Sequence, residues 1–273
     1  MNDWQHGFTG ATTGHSSLYD QILVPAVFHP WACYLAGAIG PRAGVHALDV
    51  ACGTGALTRV LAAAAGPTGA VTGTDLSDAM LAAARAKPVL PGAPQVYHQS
   101  PAAPLAPFAD GSFDLTCCQH GLQFFPDRPA AAAEWYRVTK PGGTLAVAVW
   151  APLEDNPLFA ALHDAAAALL GPDHGRQFAR PWALPAHEAR DLIEQAGFTD
   201  MRHHRARLPA VFPGGTADLL NVYRFSPLAD ALTALAPAAR QDLEEAVHGR
   251  LAPYRHDASL TAPTSAEIIL ATR

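Results

Sequence analysis

At 273 residues, with 49% hydrophobic and 15% charged side chains, the chain is long enough to bury a sizeable core and is too apolar to be disordered. A formal net charge of −6, with eighteen scattered Lys and Arg, argues against a nucleic-acid surface, which needs clustered cations. Cys33, Cys52, Cys117 and Cys118 show no paired spacing, Met1 to Gly10 lacks a secretory leader pattern, and no stretch approaches the apolar length of a membrane span; these features predict a cytoplasmic protein.

In chain order, residues 1–17 are polar and read as a loose arm that orders over a ligand. Tyr19 to Leu35 reads as helical segments broken by Pro25 and Pro30, and most of its rings, Tyr19, Phe28, Trp31 and Tyr34, as ordinary packing. Val45 to Val50 is an apolar strand interrupted by Asp49. A small-residue turn, Ala51 to Gly55, follows it, and Ala56 to Ala65 reads as a helix. Glycines at 53 and 55 permit positive φ and a close approach of backbone N–H groups to a ligand. A dinucleotide fingerprint wants a small residue where Thr58 stands, and a carboxylate at Asp49 repels a diphosphate, so the turn suits a cationic ligand better.

Gly69 to Asp75 reads as a second strand and Ser77 to Ala86 as a helix capped by Ser77. Asp75 lies twenty residues beyond Gly55, where a Rossmann-type sheet binds ribose hydroxyls; the alternative is a capping carboxylate. Gln95 to His98 is a short third strand and Phe113 to Gln119 a fourth. Strand ends face the ligand crevice in open α/β sheets, which places Gln119 and His120 near the reacting centre. His120, with an ordinary pKa of roughly 6.5, can take a substrate proton; the alternative is a polar pocket wall without chemistry. Ala130 to Thr139 is a helix, Pro141 to Gly143 a turn and Thr144 to Trp150 the fifth strand. Asn156 to Leu170 and Glu188 to Ala196 read as helices separated by a loop at Phe178 to Leu184, and Gly197 stops the second. Phe198 to Leu208 is a sixth strand, 213–254 holds two or three helices, and Ser265 to Thr272 is the last strand. Asn221, Tyr223, Arg224 and Phe225 are either a core stripe or pocket residues. No metal-ligand spacing is present.

The string Leu48 to Gly55 (LDVACGTG), the segment Phe108 to Asp114 (FADGSFD) and the turn Arg137 to Gly143 (RVTKPGG) resemble class I S-adenosylmethionine-dependent methyltransferases. The similarity is closest to the small-molecule branch with the ubiquinone and menaquinone C-methyltransferases. It implies an α/β fold: a Rossmann-like seven-stranded methyltransferase sheet with one antiparallel edge, helices on both faces and a helical lid. One domain would span 1–273, with a cofactor core at about 36–150 and inserts at about 151–185 and 213–258. The resemblance implies S-adenosyl-L-methionine as cofactor and S-adenosyl-L-homocysteine as product. Around the glycine turn it implies contacts from Asp49, Ala51, Cys52, Gly53 and Gly55. Beyond the turn it implies Asp75 for ribose, Leu76 and Met80 around adenine, Gln119 at the methionine part and Tyr19, paired with Asp20, from the N-terminal segment. One departure stands out: Ser100 to Ala103 carries no acid where the family places an aspartate for the adenine amino group, leaving backbone groups at Ala102 and Ala103. His120 becomes the candidate general base.

The acceptor expected is a small molecule, neutral or mildly polar and partly apolar, methylated on oxygen or carbon, in a pocket lined from Trp31, Phe124, Trp182, Phe212 and Tyr223. Nucleic acid is not an expected partner, and a homodimer is compatible. Two competing readings remain open at this point: an S-adenosylmethionine-binding protein that catalyses elimination, cyclisation or decarboxylation, and an NAD(P)-dependent oxidoreductase.

Overall fold

The computed structural model describes residues 13–273. The arm expected over 1–17 lies outside them up to residue 12, and its end is helical, because Thr13–Leu18 opens the first helix.

Among the described residues eight strands form one sheet: β1 (His46–Val50), β2 (Ala70–Asp75), β3 (Gln95–Gln99), β4 (Phe113–Gln119), β5 (Thr139–Trp150), β6 (Thr199–Phe212), β7 (Arg255–His256) and β8 (Ser259–Thr272). Their order is β3-β2-β1-β4-β5-β8-β6, with the two-residue β7 paired to β8 off that path. Strands β1 to β5 run parallel, and β8 is antiparallel to both β5 and β6. The antiparallel member therefore sits one place in from the edge, not at the edge as expected. Sequence order reverses between β1 and β4, so their carboxyl ends flank the crevice where open α/β sheets bind ligands.

The period-two pattern explains why the sheet carries helices on both faces. Along β5, Ala146, Ala148 and Trp150 join one core with Leu35, Leu61 and Leu162, while Leu145, Val147 and Val149 join the other with Trp135 and Ile193. Helices Ala56–Ala65 and Pro157–Leu170 cover the first face, and Arg128–Val138 and Ala186–Gln195 the second.

The N-terminal helix runs on through both prolines. Tyr19–Phe28 is a π-helical segment containing Pro25, closed by the His29 N–H donating to Val24 O, and Pro30 falls in the first turn of His29–Ile39. The wider π turn accommodates a residue without an N–H, so the helix is reshaped instead of broken. This helix also corrects the reading of apolar length: Ser16–Ile39, with a mean hydropathy of 1.6 over its most apolar window, is long and apolar enough by composition to cross a membrane. Leu23, Val27, Trp31 and Leu35, spaced four apart, are buried in the first core, which accounts for that apolarity within the fold.

Three further boundaries differ from expectation. Strand β5 begins at Thr139, before the Pro141-Gly142-Gly143 turn, which bulges out of the ladder between the pairs Phe113↔Thr139 and Leu115↔Thr144. The expected loop at Phe178 to Leu184 is helical up to Trp182, formed by the end of Pro172–Ala179 and a 3-10 turn at Arg180–Trp182. Strands β6 and β8 are longer than expected and pair across their whole length down to Phe212↔Leu260.

Candidate functional site

The carboxyl end of β1 turns sharply into helix Ala56–Ala65 through three left-handed residues, Ala51 (φ 59°), Gly53 (φ 54°) and Gly55 (φ 81°). The Cys52 N–H donates to Thr74 O (2.9 Å) and the Gly55 N–H to Cys52 O (2.9 Å), which pins the loop to β2. The two glycines serve different ends. A Cβ on Gly53 would meet no protein atom within 4 Å, and Gly53 lines the cavity; a Cβ on Gly55 would stand 2.7 Å from Tyr97 Oη. Gly55 is not among the residues that line the cavity, and its want of a Cβ serves the packing against Tyr97.

Asp75 fastens this loop from the end of β2. Its Oδ2 accepts from the Gly53 N–H (2.8 Å) and its Oδ1 from the Ser77 N–H (2.9 Å). Burial raises its pKa, and these backbone donors oppose the rise. Each carboxylate oxygen keeps a second lone-pair direction, so the loop-tying and ribose-binding readings are compatible.

Asp49 is 1% exposed. Thr58 Oγ1 donates to its Oδ2 (2.6 Å), which explains why threonine stands where a dinucleotide site needs a small residue. Asp49 Oδ1 has no partner among the described residues, and burial pushes the carboxyl up to about 7. Such a group is completed by a cation.

Gln119 ends β4. Its Nε2 donates to Phe28 O (2.9 Å), tying the N-terminal helix to the sheet, while Oε1 is buried without a partner among the described residues. His120 follows in a left-handed conformation (φ 54°), with its N–H donating to Ala148 O (2.8 Å). Its ring stacks on Trp150 at 3.9 Å and 11°, with Phe28 and Trp31 edge-on. Neither ring nitrogen has a partner among the described residues, and burial lowers the pKa to about 3. The expectation of an ordinary pKa near 6.5 is therefore corrected. A neutral imidazole this weakly basic is a poor proton acceptor but remains a hydrogen-bonding group.

These strand ends open into a cavity of about 770 Å³. The expected site residues all line it, Gly55 excepted. Tyr19, Leu23, Val27 and Phe28 form the roof, clasped down where Asp20 Oδ1 accepts from Thr54 Oγ1 (2.7 Å) and pairs with Lys87 Nζ (2.5 Å). Of the expected Tyr19-Asp20 pair, only Tyr19 faces the cavity. Leu76, Met80, Ala102 and Ala103 line it as well, and Ser100 spends its hydroxyl on Pro101 O. Rings make up much of the remaining wall: Trp150, Phe159 and Trp182 pack on one another, Phe225 packs on Tyr19, and Phe124 also lines the cavity.

Of the rings expected to line an acceptor pocket, Phe124 and Trp182 do so and three do not. Trp31 donates through Nε1 to Thr264 (3.0 Å), Phe212 is fully buried, and Tyr223 donates to Leu162 O (2.5 Å); all three belong to the core. Sequence reasoning missed Trp150, Phe159 and Val222 as lining residues. Trp150 was findable, since the strand-end argument used for Gln119 applies equally to the last residue of β5.

The cavity fits S-adenosylmethionine on this chain's own evidence. Two buried acceptors, Asp49 Oδ1 and Gln119 Oε1, await donors, and Gly53 leaves open space beside them. Fold and site together define a methyltransferase. Residues 48–147 match the methyltransferase domain family. The demethylmenaquinone methyltransferase of Staphylococcus aureus is 34% identical over 176 residues, covering 60% of this chain and 72% of that protein. Among solved structures, phosphoethanolamine N-methyltransferase 2 of Haemonchus contortus in complex with S-adenosyl-L-methionine superposes with a TM-score of 0.61 at 17% identity, over 100% of this chain and 60% of that one. The YcgJ protein of Bacillus subtilis gives 0.55 at 18% identity, over 89% and 98%. The chain belongs to the S-adenosylmethionine-dependent methyltransferases and transfers a methyl group from that cofactor. The oxidoreductase reading is set aside.

Proposed function

We propose that the acceptor is a small, neutral, partly apolar ring compound bearing a hydroxyl, methylated on oxygen or on a ring carbon. The observation that carries this reading is the set of rings around His120: its two buried ring nitrogens have no partner among the described residues, and Phe28, Trp31 and Trp150 pack against the imidazole, while Asp127 and Glu134, which also line the cavity, are engaged elsewhere, Asp127 with the Ala130 N–H and Glu134 with Arg137. The desolvation cost of a charged acceptor would go uncompensated there, whereas a hydroxyl finds the neutral imidazole. The Staphylococcus aureus relative, named for demethylmenaquinone, supports a ring-type acceptor.

The bound cofactor supplies an activated methyl group. In the proposed arrangement Asp75 accepts from the ribose hydroxyls, Asp49 and Gln119 face the ammonium of the amino-acid part, and Leu76, Met80, Ala102 and Ala103 hold the adenine. The inserts at about 151–185 and 213–258 act as a lid, contributing Phe159, Trp182 and Phe225, which exclude water and align the acceptor. The whole chain works as one domain on a small molecule and not on nucleic acid. Its free thiols at Cys33, Cys52, Cys117 and Cys118 fit a reducing cytoplasm.

The test is turnover, read as S-adenosylhomocysteine release, across size-matched acceptors: a hydroxylated aromatic ring, a primary amine and a carboxylate. The hydroxylated ring should be favoured in kcat/KM by roughly a hundredfold, the scale of an uncompensated polar burial. Preferred methylation of the amine would sink the proposal.

A further inference from the structure

His120 holds a left-handed backbone that a non-glycine residue adopts only when its surroundings enforce it. Its ring makes no hydrogen bond among the described residues, so the enforcement must come through the main chain and through stacking. On the amino side, the His120 N–H is bound to Ala148 O in β5. On the carbonyl side, Gln123 Nε2 donates to His120 O at 2.9 Å. Gln123 is 4% exposed and sits in the 3-10 turn Leu122–Phe124. That turn is held in its own right: Arg128, the first residue of helix Arg128–Val138, donates through Nε to Leu122 O (3.3 Å) and through NH2 to Gln123 O (2.9 Å). Gly121 closes the arrangement, since a Cβ there would lie 2.8 Å from both Ala51 Cβ and Cys118 Sγ. The loop bearing His120 thus rests against the loop that carries Gly53.

We infer that Gln123, braced by Arg128, is a positioning residue that holds His120 against Trp150 in the orientation the acceptor meets. The inference rests on the proposed role of His120 toward the acceptor. Gln123 itself does not line the cavity, so it acts through His120 and not by contact with either ligand. Losing its single donor frees the His120 carbonyl, and with it the left-handed turn, allowing the ring to drift by the fraction of an ångström that methyl transfer does not tolerate.

The experiment compares Gln123→Leu and Gln123→Glu in the unaltered chain and in a His120→Ala background. Gln123→Leu should lower kcat for the acceptor by roughly tenfold to a hundredfold, with affinity for S-adenosylhomocysteine held within about threefold. In the His120→Ala background the same change should do little, because the residue it positions is gone. Gln123→Glu adds a second readout, the pH dependence of its kcat deficit in the unaltered chain relative to the same change in the His120→Ala background, where the cost of burying a carboxylate is equal and cancels. A protonated glutamic acid can still donate to His120 O and an ionised one repels it, so its deficit should shrink as pH is lowered. Equal losses in both backgrounds, unchanged kinetics for Gln123→Leu, or a Gln123→Glu deficit indifferent to pH would each overturn the inference. If Gln123→Leu fails to fold, the Gln123→Glu pH profile decides alone. Should His120→Ala leave acceptor kinetics intact, it is the role of His120 that falls, a result distinct from any of these.

Discussion

Calorimetry with S-adenosylhomocysteine should show Asp75→Ala binding at least about a hundredfold more weakly than the unaltered chain, the loss expected when a carboxylate serving two hydroxyls is removed. Two effects combine. The ribose acceptor disappears, and so do the bonds by which Asp75 receives the Gly53 and Ser77 N–H groups and shapes the glycine loop. Asp75→Asn keeps one acceptor oxygen and should fall between the two. Gly53→Val reaches the same end by another route: it forces a branched side chain into a left-handed conformation (φ 54°) and directs it into the open space beside Asp49. Undiminished binding in both Asp75→Ala and Gly53→Val would remove the cofactor assignment from this cavity. A melting temperature close to that of the unaltered chain would show that affinity, and not folding, was lost.

His120→Ala should lower turnover by roughly tenfold to a hundredfold, the worth of one hydrogen bond to a buried polar group, while cofactor affinity stays within about threefold. The pH dependence separates this from general-base catalysis. Burial depresses the folded-state pKa to about 3, so the imidazole is neutral throughout the working range and its contribution is lost only as pH falls through about 3. The turnover profile between roughly pH 5 and 8 should therefore show no inflection that vanishes in His120→Ala. Stability carries the matching sign. The unfolded chain binds the His120 proton below roughly 6.5 and the folded chain does not, so this residue weakens the fold progressively as pH drops from there toward 3. A fall in turnover of about 10⁴, with a rate that rises through pH 6.5 in the unaltered chain only, would restore His120 as the base.

The part of the cavity wall at the strand ends was legible because strand ends are legible. Helix Ala56–Ala65 and strand β4 fall where periodicity and turn residues put them, and once these are placed, Asp49, Asp75 and Gln119 follow from topology alone. Proline misled where its context was tertiary. Pro25 reads as a break but is absorbed by a π turn. Strands β6 and β8 run on past Pro209 and Pro263, which face each other in the ladder. Pro209 lies on the edge strand, and Pro263 lies beyond the Ala266 to Thr272 stretch that β5 pairs, so neither interrupts a ladder on its far side. The ring-lined part of the wall resisted reading for a different reason. Phe28, Trp150, Phe159, Trp182 and Phe225 come from separate elements whose convergence no local pattern encodes. The same holds for His120: its depressed pKa is produced by burial among rings from the N-terminal helix and β5, which its own neighbours in the chain do not announce.

The proposed arrangement puts the cofactor along the strand ends, which leaves its methyl group facing Phe28 and Trp150, and it is tested most directly by carbon-13 and proton NMR of S-adenosylmethionine labelled in that methyl group. Bound to the unaltered chain, the methyl signal should move upfield under the ring currents of Phe28 and Trp150 and shift back in part in Trp150→Leu, while Asp75→Ala should need about a hundredfold more cofactor to reach the same bound signal. A saturated complex whose methyl resonance stays at its free-solution position, or whose shift ignores the removal of Trp150, would contradict the account.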